Sequence, residues 1–297
     1  MSARAGMVAR LRGTPAERVP VRVIEANTGS AIERIVDAWR YRHLAHFFAK
    51  RLLEKRYRRT ALGWIWLPLR PTLDVSMRAF LFGGLLGVSA GPVPYIVFLL
   101  IAMSSWHLFD RTAFWGMRAL EVNRGVLNRV YVPRLVPLVS SIAPGFVEFA
   151  IYGVIVLIAL VYYKLANGIF YLRLDYGPLQ AAVGVLLLVA LALSLALWLS
   201  VMAARTRDVR FVMRYVFSIW MYITPVLYPL DSLHGIYRTA ALINPVTAPL
   251  EMIKSGLIHN GVYHPLNVLV TVASIFVLGI SGFWFFNRAE ANALDRL

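Results

Sequence analysis

The sequence predicts an all-α integral membrane protein with six transmembrane helices, and three observations lead to this prediction. Hydrophobic residues make up 59% of the 297 residues and the mean hydropathy is +0.64, whereas soluble domains contain about 45–50% apolar residues. The chain contains six apolar runs of about 20 residues, the length that crosses the hydrocarbon core of a bilayer. The basic residues, which bring the net charge to +16, are concentrated in alternate connections between these runs. A soluble nucleic-acid-binding protein would share the charge but not the hydropathy. The absence of cysteine excludes disulfides, thiolate metal sites and a cysteine nucleophile.

The segment before the first apolar run is strongly basic, because residues 1–60 hold 14 of the 31 Lys and Arg residues. Residues 1–30 show no periodicity, which predicts a flexible cytoplasmic arm, and they lack the apolar core of a signal peptide. Residues 31–60 alternate apolar and basic side chains at approximately helical spacing, with Trp39 and Phe47 on the apolar side. This pattern predicts an amphipathic helix in the membrane interface. A surface helix packed on a partner subunit is the alternative.

Residues 61–297 are predicted to form a single domain of six transmembrane helices, without an internal repeat or a long linker. The predicted spans are residues 64–90, 93–113, 135–163, 178–204, 211–230 and 265–286.

The positions of the basic residues orient these helices. With the N-terminus inside, 25 of the 31 Lys and Arg residues lie in cytoplasmic stretches and only four lie in outward loops. Cytoplasmic loops of membrane proteins carry such an excess of basic residues, and an odd number of spans would scramble it. Both termini are therefore predicted to be cytoplasmic.

The outward segment 231–264 differs from the other connections because it contains apolar stretches that are too short to cross a bilayer. Asn244-Pro245 and Pro249 separate these stretches. Membranes tolerate such pieces only where protein or a water-filled cavity satisfies the backbone. We therefore expect short re-entrant helices that form a gate at the outer mouth.

Motifs for catalysis by this chain alone are absent from the sequence. It contains no G-x-x-x-x-G-K-[ST] phosphate loop, no H-E-x-x-H motif and no G-x-S-x-G motif. The prediction is therefore a protein that is not an enzyme and that holds no metal or cofactor of its own.

Ionisable residues inside a predicted span are costly and often functional. Arg70, Asp74 and Arg78 occur at intervals of four residues in the first span, so they can share one helical face. They form either a self-neutralised ladder against neighbouring helices or a polar stripe that lines a conduit. Glu148 in the third span has the same two interpretations, a buried ion pair or an acid that lines a path.

Aromatic residues in and near the spans suggest contacts with sugar rings. Aromatic faces provide sliding contacts to sugars, while anchoring at the membrane interface is the alternative explanation. The candidate channel aromatics are Trp64, Trp66, Trp106, Phe109, Tyr222 and Tyr228.

Several blocks of the sequence follow a known pattern. The first is YRRTALGWIW at residues 57–66, followed by Pro71, at the start of the first span. The next are WHLF at residues 106–109 in the second span and NRVYVPRLVPL at residues 128–138 in the cytoplasmic loop. The last are RDV, YITPVLYP and NPVT at residues 207–209, 222–229 and 244–247. Together these blocks resemble the permeases of ABC transporters that export O-antigen and other lipid-linked polysaccharides. A departure is Arg70, where the family usually has a neutral residue.

This resemblance implies a transporter that contains two copies of this chain and two copies of a separate nucleotide-binding ATPase subunit, which binds ATP and Mg. It implies export of a glycan on polyprenyl pyrophosphate across the inner (cytoplasmic) membrane, with no role for nucleic acid. A small-molecule exporter of the same class and, further away, a membrane enzyme acting on polyprenyl-linked sugars are the alternatives.

The resemblance also suggests roles for particular residues. Arg58, Arg59, Arg207 and Arg210 would meet the pyrophosphate, because guanidinium groups match phosphate oxygens; orientation by positive charge alone is the alternative. The helix at 31–57 and the 119–134 loop would contact the ATPase, and the loop contributes Arg124, Asn128, Arg129 and Tyr131 to this contact.

Overall fold

The computed structural model describes residues 31–57, 65–127, 129–130, 132–173, 175–258 and 260–294, and every regular element within these ranges is helical. The elements are α1 (Ala31–Arg40), α2 (His43–Tyr57), α3 (Trp66–Arg78), a π-helical segment (Ala79–Leu85), α4 (Tyr95–Met117), α5 (Ala119–Leu127), α6 (Leu135–Val139), α7 (Ile142–Asn167), α8 (Gly177–Arg205), α9 (Asp208–Ile223), a 3₁₀ turn (Leu230–Ser232), α10 (Gly235–Ile243), α11 (Thr247–Ile258) and α12 (Pro265–Leu294). The all-α class is thus confirmed for the described residues.

Three stretches are long and apolar enough to cross a membrane, namely Leu135–Asn167, Gly177–Arg205 and Pro265–Arg288. The protein is therefore a multi-pass membrane protein. The other three predicted spans are also helical, but α9 has only 16 residues and the first span is divided between α3 and the π-helical segment. Six crossings with both ends inside remain a prediction.

The centre of the fold is α8, which packs against α4, α11 and α12. Small residues permit this close packing. A Cβ atom on Gly184 would lie 2.7 Å from the carbonyl oxygen of Pro249 in α11, and one on Gly116 of α4 would lie 2.5 Å from the Cβ of Ala196 in α8. Small residues let helix backbones approach where packing, rather than the hydrophobic effect, joins helices in a membrane. These helices therefore form a tightly joined core.

The first predicted span is attached to this core at its far end. Gly83 in the π-helical segment faces the ring of Tyr95, so that a Cβ atom would lie 2.7 Å from Cδ1 of the tyrosine. The hydroxyl of Tyr95 donates a hydrogen bond to the carbonyl oxygen of Leu227 at 2.7 Å. The end of the first span is thus joined through α4 to the segment that follows α9.

The amphipathic segment is two helices rather than the single helix predicted over residues 31–60. The chain turns at Tyr41–Arg42, where the amide of Arg42 bonds the carbonyl of Trp39 and its guanidinium lies 5.1 Å from the Trp39 ring. In α2, Phe48 is buried against Val132 and Val136. One side of α2 thus packs on protein, while Trp39 and Phe47 stay exposed.

The helices α3 and α9 contain few buried residues. Within α3 only Pro71 and Val75 are buried, and within α9 only Phe217 and Met221. Large apolar side chains on both helices and on the π-helical segment are exposed, including Leu73, Met77, Phe80, Phe211, Val212 and Ile219. Two faces of the molecule are therefore uncovered in the single chain.

Candidate functional site

One side of α9 combines basic and aromatic side chains. Arg207, just before the helix, and Arg214 are exposed, and they are separated by the seven positions that return a helix to the same side. The same side continues through Phe211, Tyr215, Ser218 and Tyr222, all exposed. We call this row, from Arg207 to Tyr222, the α9 stripe. It begins with charge and continues with aromatic and apolar surface.

The arginines at the start of the stripe differ in their surroundings. The guanidinium of Arg210 is held by the carboxylate of Glu121 in α5, with Nη1 and Oε1 2.5 Å apart. Its Nε also donates to the carbonyl oxygen of Arg207 at 3.4 Å. Arg207 makes no ion pair with any residue that the structure describes. Of the two predicted phosphate contacts in this region, Arg207 is therefore open and Arg210 is occupied.

Two further arginines, Arg118 and Arg214, complete the basic group, although neither was among the predicted phosphate contacts. Arg118 follows α4 and lies 3.7 Å from Glu121, measured from Nε to Oε2. Both guanidinium groups lie near the ring of Phe114, at 6.0 Å for Arg118 and 5.9 Å for Arg214. The interval of four residues between Arg210 and Arg214 was the signal that could have identified Arg214. Nothing in the linear sequence pairs Arg118 with α9.

Arg58 and Arg59, the other predicted phosphate contacts, lie outside the described residues, as does Trp64. They remain predictions.

The six predicted channel aromatics fall into different environments. Trp106 and Phe109 are buried in the core, where they contact Trp220 and, for Phe109, Phe217. Both rings fill the core of the single chain, and their assignment to a channel wall stays a prediction. Trp66 and Tyr222 are exposed. The hydroxyl of Tyr228 donates to the Tyr222 carbonyl at 2.7 Å, so this half-buried ring folds back beside the end of α9.

A hydrogen-bonded junction ends α9. The indole of Trp220 donates to Oδ1 of Asn244 at 3.0 Å, and the amide nitrogen of Asn244 donates to Oγ1 of Thr224 at 2.8 Å. Beside this junction lies an open apolar cavity of about 490 Å³, bounded by residues of α9 and α10 together with Asn244 and Pro245. The NPVT block therefore ties the end of α9 to the short outer helices.

Asp74, Arg78 and Glu148, which lie within predicted spans, form ion pairs. Asp74 pairs with Arg78 and lies 3.7 Å from Nε2 of His107 in α4. Arg111 of α4 donates to Glu148 of α7 at 3.0 Å. Glu148 is thus a buried partner rather than an acid that lines a path, and the ladder interpretation holds for Asp74 and Arg78. Arg70 is exposed and makes no ion pair within the described residues.

The residues predicted to contact the ATPase lie on α5 and the turn after it. Arg124 and Arg129 are exposed, whereas Asn123 is buried and its amide donates to the Ala119 carbonyl at 2.9 Å. Asn128 and Tyr131 lie outside the described residues. The surface at Arg124 and Arg129 is open to a partner, and its role stays a prediction.

Comparison with known proteins shows the family. Residues 44–258 match the model of the family described as ABC-2 type transporter. The O-antigen export system permease protein RfbA of Myxococcus xanthus is 22% identical over 269 residues, which cover 87% of this chain and 98% of that protein. The polysialic acid transport protein KpsM of Escherichia coli is 22% identical over 231 residues, or 76% of this chain and 87% of that protein. RfbA of Klebsiella pneumoniae is 22% identical over 239 residues, with coverages of 80% and 88%. Since the family match extends over more than half of the sequence, this chain belongs to the ABC-2 type transporter family.

Proposed function

We propose that this chain is the transmembrane subunit of an ABC transporter that exports a polysaccharide linked to polyprenyl pyrophosphate, such as O-antigen. Export runs from the cytoplasmic to the outer side of the inner membrane. The observation that carries the proposal is the α9 stripe, in which Arg207 and Arg214 precede the exposed rings of Tyr215 and Tyr222. Relatives named for O-antigen export and polysialic acid transport support it.

The basic start of the stripe suits the pyrophosphate. A pyrophosphate presents several charged oxygens, and the planar guanidinium group donates two parallel hydrogen bonds to such a group. Arg207 is exposed, and the guanidinium of Arg214 lies beside the ring of Phe114 without an ion pair to a described residue. Both therefore can turn toward a headgroup in the inner leaflet.

The aromatic continuation of the stripe suits the glycan. Sugar rings stack on aromatic faces through their C–H groups, and such contacts do not fix one register along a chain. Tyr215 and Tyr222 are separated by two helical turns, and both rings are more than half exposed. A polymer can therefore slide past them, as export of a long chain requires.

Two exposed helices in each chain support assembly as a homodimer. Apolar faces of α3 and α9 are uncovered in the single chain, and α9 in addition carries arginines that are unfavourable toward lipid. A second copy placed against these faces encloses a conduit with an α9 stripe on each side. Two separate ATPase subunits, which bind ATP and Mg, would drive its opening through α5 and α2.

The experiment that tests this function is deletion of the gene followed by analysis of lipid-linked glycan on the two sides of the membrane. Glycan is expected to accumulate inside the cell, and a plasmid copy restores export. The Arg207→Ala, Arg214→Ala variant and the Arg58→Ala, Arg59→Ala variant are expected to insert normally but to fail in export.

The matched control is Arg288→Ala, which removes another predicted cytoplasmic arginine. Its guanidinium lies 5.3 Å from the ring of Trp284 in its own helix. This variant is expected to export normally. Normal surface glycan in the deletion strain would contradict the proposal. If the deletion strain also retains a small dye or drug inside the cell, the result would favour the small-molecule exporter.

A further inference from the structure

The carboxylate of Glu121 lies between two arginines from different parts of the chain. Its Oε1 is 2.5 Å from Nη1 of Arg210 in α9, and its Oε2 is 3.7 Å from Nε of Arg118 at the end of α4. The Glu121 side chain is 39% exposed, and that of Arg210 is 19% exposed. The pair is therefore partly shielded but open to a solute from the same side.

The surrounding charge is strongly positive. Four arginines lie at this end of the molecule (Arg118, Arg207, Arg210 and Arg214), against the acids Glu121 and Asp208. Asp208 makes no ion pair with a residue that the structure describes, whereas Glu121 contacts two arginines. Glu121 is thus the carboxylate that occupies the position on Arg210 where an external anion would bind.

We propose that Glu121 is a built-in counterion that holds Arg210 while the site is empty and that the diphosphate headgroup of the lipid substrate displaces it. This inference rests on the function proposed above. The physical reason is that a diphosphate carries more negative charge and more acceptor oxygens than one carboxylate, so it forms stronger charge-assisted hydrogen bonds with the same guanidinium groups. Because the tethered carboxylate competes with the ligand, it lowers the apparent affinity by the fraction of sites that it occupies.

The displacement has a structural consequence because the two partners belong to different elements. Glu121 lies in the first turn of α5, and α5 also carries the exposed Arg124 of the predicted ATPase contact. Arg210 lies in the first turn of α9. When the headgroup takes Arg210, the ion pair that joins α5 to α9 is lost. Arrival of substrate in the membrane thereby alters the loop that faces the ATPase.

The binding test uses the full-length chain in nanodiscs of neutral lipid, with farnesyl diphosphate as the probe. Glu121→Gln is expected to bind the probe about two- to fivefold more tightly than the unaltered chain, the range that corresponds to partly exposed ion pairs. Arg210→Gln is expected to bind more weakly. In the Arg210→Gln background, Glu121→Gln is expected to add less than half of its usual effect, because the competition is then gone.

Asp208→Asn is the matched control, since it removes the same charge from the same surface but breaks no described ion pair. It is expected to tighten binding less than Glu121→Gln does. If Glu121→Gln and Asp208→Asn have equal effects while the unaltered chain binds the probe, the counterion inference is overturned and the proposed function stands. If no variant binds farnesyl diphosphate, both are overturned.

A second measurement follows the separation of α5 from α9. The chain contains no cysteine, so spin labels can be placed at Gly125→Cys, where added atoms meet open space, and at the exposed Phe211→Cys. The distance between the labels is expected to lengthen or broaden when farnesyl diphosphate is added, and to be altered in advance by Glu121→Gln. If neither farnesyl diphosphate nor Glu121→Gln alters this distance, the inference is overturned even where the probe binds.

Discussion

The two short helices on the predicted outer side, α10 and α11, have similar apolar sequences but opposite environments. Nearly every residue of α11 is buried, including Glu251 and Lys254, whereas in α10 only Ala241 is buried. Both helices lie in the segment that the sequence predicts to form a gate. The structure distinguishes them, because α11 is packed into the core of the chain whereas α10 lies on its surface. We therefore expect α10, rather than α11, to move when the outer mouth opens.

Two kinds of contact hold α11 in place. Glycines permit a close backbone approach to α8, since a Cβ atom on Gly256 would lie 2.5 Å from the carbonyl oxygen of Gly177. Contacts between polar groups are the second kind. The ammonium group of Lys254 pairs with Glu251 at 2.5 Å and donates to the Pro225 carbonyl at 3.1 Å. The second oxygen of Glu251 accepts from the amide of Val262 at 3.1 Å.

The loop before α8 adds a third attachment. The amide of Arg173 donates to the carbonyl oxygen of Leu257 at 2.8 Å. Its guanidinium binds Asp175 through two hydrogen bonds and lies 4.2 Å from the ring of Tyr176. The hydrogen bonds from Arg173 hold the pKa of Asp175 below its usual value. α11 is thus joined to α8, to the segment after α9, to the loop before α8 and to the loop that follows α11 itself.

The largest effect is expected when the buried pair of α11 is broken. Lys254→Met leaves the carboxylate of Glu251 buried without its cation, which typically costs about 3–5 kcal/mol. The free energy of unfolding, measured in mixed detergent micelles, is expected to fall by about this amount. Adding Glu251→Gln to Lys254→Met is expected to recover part of the loss, because the uncompensated charge is removed. Equal losses in the single and double variants would show that the pair does not anchor α11.

A smaller loss is expected when the approach of α11 to α8 is blocked. Gly256→Val places side-chain atoms against Gly177 and Ala181, and such overpacking costs about 1–3 kcal/mol. Gly153→Ala in α7 is the control, since an added Cβ atom there meets nothing within 4 Å. The control is expected to be neutral or slightly stabilising, because alanine favours the helix over glycine. Thermal unfolding of the two variants compares their stabilities directly. A Gly256→Val variant as stable as the control would show that close packing of α11 on α8 does not stabilise the protein.

A still smaller effect is expected at the junction between α9 and α10. Trp220→Phe keeps an aromatic ring at this position but loses the hydrogen bond to Asn244, which costs about 0.5–1.5 kcal/mol. Hydrogen exchange in residues 235–243 is expected to accelerate, while exchange in α11 stays slow. Trp198→Phe is the matched control, since it removes the same kind of bond, to Ser281 in α12. If Trp198→Phe accelerates exchange in α10 equally, the junction does not hold α10.

The contrast between α10 and α11 shows which features of the fold can be predicted from the sequence. Apolar run length predicted the helices that lie in the core, and proline with asparagine predicted the break near Asn244, because these are local properties. The burial of Trp106 and the pairing of Glu121 with Arg210 depend on which helices meet. No spacing within one segment encodes such contacts. The pairing of Lys254 with Glu251 differs, because the two residues lie three positions apart in one helix; only their burial depends on the neighbouring helices.

The smallest change in stability is expected from Thr239→Cys, one of two cysteine substitutions that test the contrast most directly. Thr239→Cys in α10 and Ser255→Cys in α11 each replace a small polar residue in a chain that has no cysteine, and Thr239 is exposed whereas Ser255 is buried. An exposed substitution of this kind changes the free energy of unfolding by less than about 0.5 kcal/mol. Thr239→Cys is expected to react with a membrane-impermeant maleimide, at a rate that changes while ATP is hydrolysed, because α10 moves. Ser255→Cys is expected to stay unreacted throughout, because opening of the mouth leaves the contact between α11 and α8 intact. Reaction of both cysteines at similar rates would instead mean that the two helices open together as one gate.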